Sequence, residues 1–336
     1  MTSANAKNRL NVLNELHNLL VHNVIGDKQY NSRYNGFVAE LDFQSWFESN
    51  REGNLIDGGM FIPTVRSDNP FDSAIFITTS DKPAEEYINI YSKACEITPN
   101  IVGLFFIKYD SAFYEKWNKS VLFSVSDNSQ ISQNSFSIPQ FEVFKFEPTS
   151  KSFNICTIDS VLKNFTKSKE HLRRASIPPE MKDKFISKLS VFELKHLVKL
   201  YLERLFFDGY LNLTYTRGAP LDIDAFVYGK KSELCLLEIK EKDISKKKPK
   251  GFGMDLRRID SLNKLTQVFE SRTCYVVRHV SDQEKREFID WRLIDFEDFK
   301  KNIEDSPVVT GGTGMRGTNS YNPTKVCAFE YFKKLD

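Results

Sequence analysis

The stretch from Pro220 to Lys242 constrains this chain most: Pro-Leu-Asp-Ile-Asp-Ala-Phe-Val-Tyr-Gly-Lys-Lys-Ser-Glu-Leu-Cys-Leu-Leu-Glu-Ile-Lys-Glu-Lys. Leu221, Ile223, Ala225 and Val227 alternate with Asp222, Asp224 and Phe226, the period-2 pattern of a strand with one apolar face, so the two aspartates point the same way. Tyr228 to Ser232 supplies turn chemistry, and Leu234, Cys235, Leu236, Leu237 and Ile239 form a second, more thoroughly apolar run suited to a buried strand. The pair reads as a hairpin. Antiparallel pairing with residues near 227 and 234 face to face brings Asp224 beside Leu237 and Glu238, and Asp222 beside Ile239 and Lys240. Glu238 and Lys240 share a face, so one spot collects Asp224 or Asp222, Glu238 and Lys240. A buried strand carries such charges only when they are paired or hold a metal.

An aspartate on one strand and Glu238-Ile239-Lys240 on the next, after a Leu-Cys-Leu-Leu run, resembles the PD-(D/E)XK nuclease superfamily. The chemistry fits the pattern: hard carboxylate oxygens suit Mg²⁺, which acidifies a water and screens a phosphate, while a lysine orients that water or steadies developing charge. The resemblance implies that Asp224 and Glu238 hold the metal and that Lys240 positions the water. The literal Pro-Asp of the superfamily is absent, since Pro220 is followed by Leu221 and Asp222. The metal ligand is therefore either Asp224 or Asp222, the other acid being its neighbour in the same electrostatic site.

The flanking elements extend the resemblance. Ser190-Val191-Phe192-Glu193 has the form of a capping box, and Leu194, Leu197, Val198, Tyr201, Leu202 and Leu205 follow at helical spacing up to Asp208-Gly209. Leu211 to Arg217 then reads as a strand. Glu203 borders the apolar stripe and matches the helix glutamate that many superfamily members aim at the metal; the alternative is a solvated acid paired with Lys199. Met254 to Glu270 has the spacing of a helix and Thr273 to Val277 that of a strand. Helix, strand, hairpin, helix, strand is the superfamily order, covered here by roughly Ser190 to Val280.

The net charge of +2 requires any nucleic-acid contact to use a local patch. Lys242, Lys246, Lys247, Lys248, Lys250, Arg257 and Arg258 follow directly on the acidic cluster, with Pro249, Gly251 and Gly253 expected to keep the segment a loop until the next helix. Beside the acids, these cations suit phosphates flanking a scissile one. Farther on, Gly311 to Asn319 contains a G-x-G-x-x-G spacing without the strand-turn-helix context of a dinucleotide site, and reads as a cover in which Arg316 could reach base edges or phosphates. The five cysteines lack C-x-x-C pairs and the five histidines lack a His-x-x-x-His helix pair, which argues against a disulfide framework and a zinc site.

Upstream, Ala6 to Val21 carries Leu10, Leu13, Leu16, Leu19 and Leu20 on one helical stripe. Gly26 to Asn35 reads as a polar surface loop and Gly36 to Phe47 as a second helix. Strand patterns at Phe71 to Thr78, Ile101 to Ile107, Phe141 to Phe146 and Ser152 to Thr157, with a helical stretch from Pro83 to Ile97, give a mixed α+β module. Its acids Asp57, Asp68 and Asp72 are followed by no Glu-x-Lys strand, so the module reads as non-catalytic, and the nuclease resemblance implies an accessory module for DNA recognition. Lys163 to Arg174 leads to Pro178-Pro179, a linker composition.

The expected fold class is therefore α/β (α+β): an N-terminal mixed α+β domain over 1–177 and a restriction-endonuclease-like PD-(D/E)XK core, a mixed sheet flanked by helices, over 178–336. The expected activity is that of an Mg²⁺-dependent, sequence-specific endodeoxyribonuclease resembling type II restriction enzymes, cutting double-stranded DNA to leave 5′-phosphates. A palindromic target would call for a homodimer. The alternatives are a repair, transposon or modification-dependent nuclease on the same core, and a DNA-binding protein that no longer cuts. No stretch is long enough to span a bilayer and the first residues lack the apolar core of a secretory signal, so the expected location is cytoplasmic.

Overall fold

The structure, a computed structural model, describes residues 3–24, 26–52, 55–65, 71, 73–96, 101–110, 114–121, 135–167, 175–211, 215–216, 218, 220–229, 233–246, 248–310 and 323–336. The chain begins with helices α1 (Ser3–His22) and α2 (Asp27–Asn50), strands β1 (Ile56–Pro63) and β2 (Ala74–Ser80), helix α3 (Ile88–Ala94) and strand β3 (Ile101–Tyr109). Strands β4 (Asn118–Val121), β5 (Ser135–Ile138), β6 (Phe141–Glu147) and β7 (Ser152–Cys156), helix α4 (Ile158–Leu162) and strand β8 (Thr166–Lys167) follow. Helices α5 (Pro179–Leu189) and α6 (Leu194–Arg204) lead through a π-helical turn to strands β9 (Tyr215–Thr216), β10 (Leu221–Tyr228), β11 (Leu234–Lys242) and β12 (Gly251–Asp255). The chain closes with helix α7 (Leu256–Val268), strands β13 (Arg272–Val280) and β14 (Phe288–Asp295), helix α8 (Phe296–Asn302), and strands β15 (Val309–Thr310), β16 (Pro323–Ala328) and β17 (Lys333–Leu335). The class is mixed α+β. No helix among the described residues is long and apolar enough to cross a membrane.

The chain divides into two compact units, one of residues 1–30 and 59–222, the other of 31–58 and 223–336. This division differs from the expected 177/178 boundary. The proline pair that suggested a linker starts a helix: Pro178 is the N-cap of α5 and Pro179 its first residue, where a missing N–H costs nothing. The second unit also takes most of α2 and the start of β1 from the N-terminal part of the chain.

In the first unit, β1 from Gly59 onward pairs antiparallel with β2, β2 parallel with β3, and β3, β6 and β7 are successively antiparallel. Helix α1 packs on α5 and α6, and its Leu13, Leu16, Leu19 and Leu20 are buried, whereas Leu10 falls at the exposed edge of the stripe. The capping box is not formed. Ser190 closes α5, its Oγ donating to the Ser187 carbonyl, and Glu193 is the N-cap of α6 without a side-chain cap bond.

In the second unit, β10 and β11 are antiparallel, β11 and β13 parallel, and β13, β14 and β17 antiparallel. Ala39, Phe43 and Phe47 of α2 cover one face of this sheet, against Ala225, Leu237, Ile239, Val276 and Trp291. The segment expected as a polar loop before residue 36 is the first turns of α2, with Tyr34 buried. Gly58 lies against β10, where an added Cβ would stand 1.8 Å from the Ile223 carbonyl oxygen, so only glycine permits this approach. Gly251 and Gly253, expected in a loop, belong to β12, which pairs with β16.

Candidate functional site

The hairpin forms as its alternation demands. Ala225 pairs with Leu237, Phe226 with Leu236 and Val227 with Cys235, one residue from the expected register. Even-numbered residues of β11 therefore share the sheet face opposite α2, and Tyr275 of β13, in register with Glu238, joins them.

On this face the structure brings Asp224, Glu238 and Lys240 together. The Lys240 ammonium lies 3.1 Å from Asp224 Oδ2 and 3.1 Å from Glu238 Oε1. The two carboxylates are nearly inaccessible, at 3% and 1%, while Lys240 retains 36% exposure as the solvent side of the cluster. Asp224 Oδ2 also accepts the main-chain N–H of Ile239 at 2.6 Å, which ties its carboxylate to the backbone between Glu238 and Lys240. Asp222 stands on the same strand with the same alternation and half-buried.

Arg258 completes the cluster. Its Nε donates to Glu238 Oε1 at 2.9 Å and its Nη2 to Oε2, a fork matched to the carboxylate plane. Asp255, the N-cap of α7, accepts from the Arg258 main-chain N–H at 2.9 Å and so fixes the turn that carries the guanidinium. Arg258, expected among the phosphate-facing cations, is instead paired with Glu238; the sequence signal for its placement is Asp255, which opens the helix three residues before it. Tyr275 closes the floor, its hydroxyl donating to the Gly253 carbonyl at 3.2 Å. Burial above all, and then the Glu238 charge, push its pKa well above the ordinary phenol value.

The remaining expected residues are distributed as follows. Glu203 lies on α6, in the first unit, where its carboxylate is held by Arg204. Lys242 continues the face of Glu238 and Lys240, half-buried, with its pKa lowered first by burial and then by the Lys240 charge. Lys246, Lys248 and Lys250 are exposed on a loop closed by the Ser245 N–H to Gly251 carbonyl bond at 2.9 Å and anchored by Phe329 N–H to the Lys250 carbonyl at 3.0 Å. Arg257 is exposed on α7. Lys247, Arg316 and the segment from Gly311 to Asn319 lie outside the described residues.

Beyond Lys242, His279 Nδ1 lies 3.0 Å from Asp290 Oδ1, and Asp290 also receives Arg292 at 2.6 Å. On the face toward α2, Glu241 is held between Arg278 and Arg286, and Arg278 reaches Asp42 of α2 at 2.7 Å. This second charge cluster, whose members lie far apart in the sequence, joins the helix to the sheet.

No group of three or more His, Cys, Asp and Glu that could hold a metal ion occurs among the described residues. Two carboxylates do converge on one cation-sized position, held by the Lys240 ammonium. That donor set fits Mg²⁺, which takes one or two carboxylates and completes its shell with waters and substrate phosphate oxygens. In comparisons with family models, curated proteins and solved structures, nothing matches the chain.

Proposed function

We propose that the second unit is a metal-dependent phosphodiesterase core of the PD-(D/E)XK type and that the protein is a Mg²⁺-dependent endonuclease acting on double-stranded DNA, in the manner of a type II restriction enzyme. The observation that carries this reading is the meeting of Asp224 and Glu238, from paired strands, on the Lys240 ammonium at 3.1 Å each. The superfamily order expected over Ser190 to Val280 is met only in its second half: from Ile223 onward the second unit carries the β10–β11 hairpin, then β12, α7 and β13, whereas α6 and β9 fall in the first unit.

In this reading Asp224 and Glu238 would hold the metal. The chemistry such a group supplies is activation of a water and neutralisation of charge on the phosphate. Lys240, the most accessible of the cluster, orients the attacking water by donating to it, and Lys242 offers a second cation to a neighbouring phosphate oxygen. The anchored loop with Lys246, Lys248 and Lys250 contacts the flanking backbone without reading sequence. A homodimer would serve a palindromic target.

One observation favours a second reading. The charges of Asp224 and Glu238 are balanced by Lys240 and Arg258, as in a purely structural ion cluster, and a DNA-binding protein that does not cut would retain that arrangement. Incubation with unmethylated phage DNA in Mg²⁺ and in EDTA, beside Glu238→Ala, separates the two. Discrete fragments that need Mg²⁺ and vanish in the variant are expected; intact DNA under every condition, with binding retained, selects the second reading.

A further inference from the structure

The Glu238 carboxylate is already occupied. Glu238, 1% exposed, accepts from Arg258 through both of its oxygens and from Lys240 through one. A carboxylate offers about four lone-pair directions, so three donors leave little of it for a cation. The four charges cancel, which removes the electrostatic reason for a divalent ion to enter. Arg258 is held at its backbone by the Asp255 cap but retains 14% side-chain exposure, so the guanidinium can exchange partners while α7 stays in place. The natural replacement is a phosphate, the other planar-fork partner of arginine.

We infer, resting on the nuclease reading above, that Arg258 is a latch on Glu238: it occupies the carboxylate in the DNA-free protein and transfers to a backbone phosphate when the duplex binds. Duplex and metal then bind cooperatively, since each favours the state in which Glu238 is released, and linkage requires the effect to be reciprocal. The arrangement keeps the site from loading metal until a substrate phosphate is present.

The test is Mn²⁺ binding to the full chain without DNA, measured by calorimetry and by the free-Mn²⁺ electron spin resonance signal, for the wild type, Arg258→Gln and Arg258→Lys. Arg258→Gln is expected to bind Mn²⁺ about tenfold more tightly than the wild type. Arg258→Lys, which keeps the charge and loses the fork, is expected between them, and Glu238→Gln should abolish binding in all three backgrounds. Thermal unfolding accompanies each variant, and Arg258→Lys carries the comparison if Arg258→Gln does not fold. In the wild type, the Arg258 Nε–H resonance should shift when a duplex is added.

Equal or weaker Mn²⁺ binding by folded Arg258 variants overturns the latch and makes Arg258 a fixed orienting residue, while Mg²⁺-dependent cleavage by the wild type would leave the nuclease reading intact. An Arg258 resonance unmoved by duplex overturns the latch in the same way. Absence of Mn²⁺ binding in all proteins, with and without duplex, overturns both.

Discussion

Asp224 and Ile239 are joined across the hairpin by a 2.6 Å hydrogen bond in which the carboxylate of one strand accepts the main-chain N–H of the next. The same oxygen receives Lys240 at 3.1 Å. The aspartate therefore has a structural bond and a chemical one, and two substitutions separate them.

Asp224→Asn keeps an acceptor for Ile239 and loses the charge. It should unfold close to the wild-type temperature, while on the proposed nuclease reading cleavage falls on the order of a thousandfold, the several kcal/mol attributed to a metal centre. Asp224→Ala also leaves a buried N–H unsatisfied, costing about 1–3 kcal/mol, and should lower Tm by roughly 5 °C. Equal Tm values for the two variants would show that the Ile239 bond contributes nothing.

The lysine loop is expected to act through counterion release. Replacing Lys246, Lys248 and Lys250 with Gln should weaken duplex binding for all sequences alike and reduce the slope of log K against log salt by about one per lysine. Anisotropy titrations between low and moderate salt check this, and a change confined to one sequence would assign the loop to base readout.

Asp290 supplies an acid-side prediction. Burial by itself would raise its pKa, but hydrogen bonds from Arg292 and His279, with their charges, outweigh it and hold the carboxyl below the ordinary 3.8. A depressed folded-state pKa gives stability that is complete above the unfolded value and is lost as pH falls through the folded one. Asp290→Asn should therefore be less stable than the wild type by a constant margin at neutral pH, and that margin should shrink below about pH 4. Denaturant melts across pH 2–7 measure it.

Gly58 tests the discontinuous unit. Gly58→Ala would force a Cβ into the backbone of β10 at Ile223, where no side chain can yield. A loss of about 3 kcal/mol or more is expected, and on the proposed nuclease reading metal binding weakens with it, since Asp224 follows directly on the displaced residue. A variant of unchanged stability would mean that β1 and β10 separate at little cost.

The sequence by itself determined the hairpin and its charged face. Alternation over Leu221 to Val227, a turn after Tyr228 and an apolar run to Ile239 are local signals, because strand geometry sends successive side chains to opposite faces, and the register came within one residue. The order of α7 and β13 was legible from the helical spacing over Met254 to Glu270 and the apolar run from Thr273 to Val277. Tertiary structure alone decided three things. Arg258 meets Glu238 only because β12, which Gly251 and Gly253 had disguised as loop, pairs with β16 and leads directly into the turn that starts α7. The polar segment containing Tyr34 became helix because burying that ring outweighs the weak helix preference of its Asn, Ser and Gly neighbours. Residues 31–58 joined residues 223–336 because the side chains of α2 fill the sheet face behind the site and Gly58 admits close backbone approach. Periodicity is written in neighbouring residues, whereas partners far apart in the chain are chosen by burial and fit, which no local pattern encodes.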